Sequence, residues 1–345
     1  FFKQKTAYEI RPRDWSSDVC SSDLHRTGAR GCCTIEDSND AFRAADMPGA
    51  PFYVWDLSQE FEHRVIDDFI SEYAAGRTPN PCLRCNEKIK FSALLDRALA
   101  LGFDAVCTGH YALLSRDDAG TVTLRRAVDP LKDQSYVLGV LEQWQLERAM
   151  FPVGDTHKPD IRREAGSKDL LVAQKPDSHD ICFIPDGDTA GFLHSRLGEQ
   201  PGTIVDAETG AVLGTHHGAH TFTIGQRRGL ALGVPADDGA PRYVTAIDVK
   251  TRTVTVGPPR LLEVNSITGV RPTWTHASVS AGARLGMQWR AHGREISCTV
   301  THVDSEHLTF VTDEFIRGVA PGQQAVFYDG DRVVGSVTID SSARV

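Results

Sequence analysis

No apolar run in this chain approaches the roughly 18 residues that a membrane-spanning helix needs, so a helical membrane protein is set aside. The N-terminus carries no apolar core leading to a small-residue cleavage site, and the expectation is a protein without a secretory leader. Cysteine is sparse: eight residues, at 20, 32, 33, 82, 85, 107, 182 and 298, too scattered to staple a small secreted scaffold. A reducing cytoplasm with a few functional thiols fits that usage better. Only one C-x-x-C occurs, Cys82 to Cys85, whereas a structural zinc site usually takes two such pairs. Positive charge is in deficit, 37 Lys and Arg against 46 Asp and Glu, for a net charge of −9. That balance argues against a general nucleic-acid binder, although Arg125–Arg126, Arg162–Arg163 and Arg227–Arg228 offer local basic surface or plain solvated faces. Neither an internal repeat nor a low-complexity tract is present.

What is there suits a globular protein. The 345 residues, 41% hydrophobic and 24% charged, hold two or three domains with proper cores. Residues 1–24 show no sustained period and resemble the conceptual translation of a sequencing adapter; they are set apart as disordered, with Cys20. From Gly31 the chain becomes regular. A helix is expected from Thr34, with acidic residues in its first turn, then a short buried strand at 51–57. An amphipathic helix follows at 59–75, built on Phe61, Val65, Ile66, Phe69, Ile70 and Tyr73, and another at 91–101 leads into the strand FDAVCTG. Such alternation predicts an α/β domain with a parallel sheet and helices on both faces. Ligands sit at the carboxyl ends of such strands, which directs attention to the turn Thr108-Gly109-His110. After about residue 196, short alternating segments separated by Gly, Pro and Asp predict two small β-barrel-like modules. The expected domains are therefore 25–196, 197–265 and 266–345.

Two cysteines stand in polar settings. Cys85 lies in TPNPCLRCNEKIKF and Cys182 in KPDSHDICFI, 97 residues on (182 − 85). Neighbouring cationic and hydrogen-bonding groups favour the thiolate, the form that reacts. Cys82 reads as a neutral spacer, a redox partner of Cys85 or a metal ligand, and thiolates at 82, 85 and 182 would also suit an iron–sulfur cluster. His179, three residues before Cys182, either helps form that thiolate or points to solvent. Cys32, Cys33, Cys107 and Cys298 have no motif partners and read as packing residues.

TPNPCLRCNEKIKF, TGHYA, KDQSY, DSHDICFI, TIGQRRGL and PGQQAVFYDG together resemble, in this order, the bacterial tRNA-specific 2-thiouridylases, over about residues 28–340. The resemblance implies an adenine-nucleotide alpha-hydrolase-like catalytic domain of the ATP pyrophosphatases, using ATP with Mg2+. It implies adenylation of the C2 oxygen of the wobble uridine of tRNA, then replacement of that oxygen by sulfur. Cys182 would carry a persulfide received from a cysteine desulfurase or sulfur-relay protein. Cys85 would be the partner nucleophile, leaving a Cys85–Cys182 disulfide to be reduced. Gly109 would let ATP approach closely. Asn80, Pro81, Cys82, His110, Lys132, Asp133, Gln134, Arg290 and Gln323 would face the anticodon arm and its flipped base.

The chain departs from the family pattern in places. Cys82 stands where many members have Asp, His179 where Gln is common, and the Tyr common after the arginine of QWRAHG is missing. No S-G-G-x-D-S loop, which cradles the ATP phosphates in the family, occurs in the 345 residues. The expectation is that this polypeptide lacks the first strand of the sheet and is inactive; normal tRNA-dependent AMP release would overturn it. Three rivals stay open: another ATP pyrophosphatase, a non-catalytic tRNA-binding paralogue, and a redox or metal module on Cys82 and Cys85.

Overall fold

A computed structural model describes residues 35–175, 181–232 and 239–345, and these form two compact units. The first takes the described residues up to Ile66, then Pro81–Asp188 and Asp331–Val333; the second takes Asp67–Asn80, Thr189–Gly330 and Val334–Val345. The 67–80 stretch therefore groups with the β modules, although it lies inside the sequence-drawn domain 25–196.

The first unit is mostly helical. A helix at Ile35–Asp46 and another at Ser58–Phe61 come first, the latter running on through a π-helical turn, Glu62–Ile66. A second run starts at Pro81–Cys85, where proline suits a first helical position because its missing N–H would have no partner there. It continues through a π-helical stretch, Asn86–Ala93, into Leu94–Ala100. Phe91 breaks the helical geometry inside it (φ −109°, ψ 18°). Leu95, Ala98, Phe103 and Val106 form a core cluster beside Trp55.

One expectation needs correction here. Residues 51–57 form no strand: they are half-exposed and join no ladder among the described residues, and Arg97 lies over the Trp55 ring at 5.2 Å. A short apolar run makes a strand only where a neighbour supplies the hydrogen bonds. Among the described residues, the parallel sheet consists of β1 (Val106–Cys107) paired with a strand at Ala149–Met150. Between them the chain makes an antiparallel hairpin that periodicity did not disclose, β2 (Ala112–Arg116) and β3 (Val122–Arg126), before Ala149–Met150 as β4. Arg332 pairs with Arg125 on that hairpin, and Asp331 meets the Arg125 guanidinium at 2.6 Å.

Both β modules of the second unit follow the alternating pattern. The first is a four-stranded sheet in the order β6 (Val212–His216), β5 (Gly202–Asp206), β8 (Thr253–Gly257), β7 (Tyr243–Asp248), over Ile204, Val244, Val254 and Phe222. The other comprises β9 (Val264–Trp274), β10 (Arg284–Gln288), β11 (Ile296–Val303), β12 (His307–Ile316), β13 (Gln324–Asp329) and β14 (Arg332–Ala343). Its order is β13-β10-β11-β12-β9-β14, and pairing of β13 with β14 closes the ring. Phe310 and Phe327 meet edge to face at 5.1 Å inside it. Cys298 is fully buried there, and burial first, then Asp313, pushes its thiol up to about 12, as suits an inert packing residue. Cys107 differs from its packing assignment. In a two-residue strand alternate side chains face opposite ways, so Val106 is buried and Cys107 exposed.

Candidate active site

The two cysteine segments rest on the same stretch of chain. Cys85 is half-buried at the end of Pro81–Cys85, a helix that packs against the π turn Glu62–Ile66. Cys182 is half-buried as well, and the next residue, Phe183, sets its ring edge-on to Phe61 at 6.0 Å, immediately before that turn. Cys82 is exposed on the Cys85 helix, and no disulfide joins the described cysteines. His179, Cys20, Cys32 and Cys33 lie outside the described residues.

Behind Cys85 the helix is tied down from both sides. Asn86, 1% exposed, donates its side-chain amide to Val137 O at 2.9 Å. Gln145 is buried and uses both ends of its amide: Oε1 accepts from Glu142 N–H at 2.9 Å, while Nε2 donates to Phe91 O at 2.6 Å and Glu87 O at 3.4 Å. Those carbonyls belong to the π-helical stretch, where the regular i→i−4 ladder is interrupted. Sequence reasoning singled out neither residue. A lone amide on a helix carries no period, and its partner carbonyls exist only because the helix is irregular.

Gly109 follows β1. A Cβ built there meets no described atom within 4 Å, and its φ lies outside the left-handed region. Among the described residues, therefore, neither packing nor backbone conformation asks for glycine, and open space adjoins it. His110 beside it is 7% exposed, set between the Phe91 and Phe151 rings at 6.0 and 5.9 Å, with Nδ1 on Thr108 Oγ1 at 2.7 Å. Burial, aided by Lys90, lowers its pKa to about 3, so the ring is neutral.

The loop Lys132–Gln134 reaches the same strand end. Tyr111 N–H donates to Gln134 Oε1 at 2.9 Å, and Gln134 N–H donates to Tyr111 O at 2.8 Å. Asp133 Oδ1 accepts from the N–H groups of Ala127 and Ser135, and Oδ2 from Ser135 Oγ and the Arg126 guanidinium. Its carboxylate shapes the loop. Lys132, half-buried, closes a turn onto Asp129 O. Asp129, which sequence reading missed, accepts from the N–H groups of Leu131 and Lys158, and those bonds lower its pKa. Lys158 in turn lies over the Tyr111 ring at 5.2 Å.

Asn80, Arg290 and Gln323 belong to the second unit. Asn80 is half-buried beside buried Pro79 and Pro81. Arg290 Nη2 donates to Arg317 O at 2.9 Å and Gly318 O at 3.2 Å, and Gln323 Oε1 accepts from Ala320 N–H at 3.2 Å. Both therefore brace the 317–323 loop of the closed barrel. Among the described residues no three of His, Cys, Asp or Glu gather as a group fit to hold a metal ion.

Comparison with known proteins draws these parts together. Three family models match in succession: "tRNA methyl transferase HUP domain" over 10–186, "tRNA methyl transferase PRC-barrel domain" over 190–258 and "Aminomethyltransferase beta-barrel domain" over 264–339. The first match begins inside the stretch that sequence reading set apart. Relatives named tRNA-specific 2-thiouridylase MnmA come from Streptomyces avermitilis, 61% identical, and Streptomyces griseus, 60% identical, each over 92% of this chain and 85% of the relative. The one from Acidothermus cellulolyticus is 59% identical over 93% of this chain and 88% of its own length. Identity of that order, over more than nine-tenths of its length, places the chain in the tRNA-specific 2-thiouridylase family.

Proposed function

We propose that the protein is a tRNA sulfurtransferase that converts a uridine of tRNA to 2-thiouridine, with Cys85 and Cys182 as its reacting thiols. The observation that carries this reading is the seating of both cysteine segments on residues 58–66, in a chain about 60% identical to named thiouridylases. A C2 carbonyl flanked by two nitrogens is a poor electrophile and its oxygen a poor leaving group. The uridine O2 attacks the α-phosphorus of ATP, forming an O–P bond and expelling pyrophosphate. The terminal sulfur of a Cys182 persulfide then attacks C2, and AMP leaves with the oxygen. Cys85 thiolate attacks Cys182 Sγ, breaking its bond to the transferred sulfur, which stays on C2. A Cys85–Cys182 disulfide results, and a two-electron reductant restores both thiols.

The open space beside Gly109 suits the approach of a nucleotide, and any Mg2+ would arrive on its phosphates. His110 is buried and neutral, so its part is to hold the Gly109 turn against Phe91 and Phe151. Asp133 and Gln134 have loop-shaping partners, which makes them supports for the tRNA-facing surface; Lys132 is the cation of that loop. Arg290 and Gln323 serve in the same supporting manner on the barrel, with Asn80, Pro81 and Cys82 leading to the nucleophile. A cysteine desulfurase or relay protein supplies the persulfide, in the cytoplasm.

Cys182→Ser tests the reading. Thiouridine, measured by mass spectrometry of digested tRNA from cells relying on the variant, is expected to vanish. Undiminished thiolation would remove the persulfide role.

A further inference from the structure

One loop of the first unit uses its polar groups to hold an apolar side chain out in solvent. Asp129-Pro130-Leu131-Lys132 is a turn, closed by Lys132 N–H on Asp129 O at 3.1 Å. Aspartate suits its first position, and proline, with φ already fixed, its second. Asp129 Oδ1 accepts from Leu131 N–H at 3.0 Å and Oδ2 from Lys158 N–H at 3.0 Å, so the carboxylate faces inward. The loop is fastened on either side as well: Val128 N–H donates to Gly154 O at 2.9 Å, and Gln134 and Tyr111 exchange two hydrogen bonds. At the corner of this frame Leu131 is 84% exposed, the most exposed large apolar side chain among the described residues. A single leucine on a surface is ordinary, but one held outward by so ordered a turn has no freedom to fold back.

The chemistry of the site has a use for such a group. A uridine inside a base stack cannot offer C2 to a persulfide until it leaves the stack, and leaving costs stacking energy. An apolar wedge that enters the gap restores part of the lost contact, and leucine is among the side chains that serve this way. The loop carries a matching charge. Lys132 follows Leu131 directly, while the Asp133 carboxylate is engaged by Ala127 N–H and the Arg126 guanidinium. An ammonium beside an apolar tip suits a phosphate beside a base. The loop also adjoins the nucleophile: it runs into the helix Ser135–Leu138, where Val137 O accepts from Asn86, the residue after Cys85. All of these residues lie in the first unit.

We propose that Leu131 is a wedge that enters the base stack of the tRNA loop as the reacting uridine leaves it, with Lys132 on the adjoining phosphate. The proposal rests on the thiouridylase reading for its RNA, yet its test needs no turnover.

The full chain and its Leu131→Ser and Leu131→Met variants are titrated onto a hairpin RNA of an anticodon arm, with 2-aminopurine as the base following the wobble uridine. The probe brightens when it loses a stacking neighbour, so the parent chain is expected to raise its fluorescence. Leu131→Ser is expected to cut that rise to about half and to bind the hairpin about ten-fold more weakly, with Leu131→Met restoring both. Affinity for a blunt duplex of the same stem is expected to be equal for all three. Unchanged fluorescence and affinity in Leu131→Ser overturn the proposal and point to a protein partner for the leucine. An equal loss on the duplex overturns it too, since a wedge needs an opened stack. Failure of the parent chain to bind the hairpin overturns it outright. The thiouridylase reading itself fails through Cys182→Ser, which leaves these RNA measurements standing, so the two failures are distinguishable.

Discussion

At the scale of single residues, the most telling position is one where a side chain is missing for no structural reason. Gly109→Ala places a methyl in open space with an ordinary backbone, so the melting temperature is expected to stay within about 2 °C. In a chain that also carries the S-G-G-x-D-S loop missing from these 345 residues, the apparent KM for ATP is, by contrast, expected to rise at least ten-fold. A drop in stability with unchanged KM would show that the glycine serves the fold. Cys85 and Cys182 draw attention in sequence because each sits in a polar motif. The roles of Asp133 and Gln134 do not, since a carboxylate that brackets two backbone N–H groups looks, in sequence, like one that faces solvent. Cys107 was misplaced for a similar reason: strand alternation gives two faces, and a two-residue strand is too short to show which is which.

Elements tell a different story. The helices over 35–46 and 58–74 could be anticipated from acidic first turns and apolar spacing, whereas the helix expected at 91–101 starts ten residues earlier (91 − 81), at Pro81. Their irregular π-helical stretches could not, because a period of 3.6 residues in the pattern is the assumption by which helices are found. Gln145 is the price of that irregularity. Gln145→Leu keeps the volume but strips partners from Phe91 O, Glu87 O and Glu142 N–H. It is expected to destabilise the protein by about 3 kcal/mol, measured by urea unfolding. A loss below about 0.5 kcal/mol would show that the kink stands unaided. Residues 51–57 were mistaken for a strand on composition, whereas the β2–β3 hairpin passed unnoticed between stronger signals.

For the molecule as a whole, the division into a helical part and two β modules was readable from the change in texture near residue 196. The grouping of 67–80 with the barrel was not, since Arg77 finds Asp340 across 263 residues of sequence. Acid is expected to weaken both units in the same direction. His110 titrates near 3 in the fold against 6.5 when unfolded, and burial lowers His216 and His220 as well. Below pH 6.5 the unfolded chain binds the extra protons, so stability falls as pH drops from that value toward 3. His110 alone accounts for about 3 kcal/mol lost by pH 4. Unfolding free energies measured from pH 7 to 4 are expected to fall less steeply in His110→Asn; equal slopes would contradict the neutral ring.

The ring closure of β13 on β14 carries a consequence for behaviour outside the native state. The six barrel strands leave no edge among themselves, although their sheet runs on from β14 through β3 to β2, and among the described residues the four-stranded sheet ends on β6 and β7. β6 presents Val212 at 63% exposure, beside backbone groups that another chain can pair with. Intermolecular β-aggregation during refolding or storage should therefore seed at residues 212–216, and a lysine at 212 should suppress it.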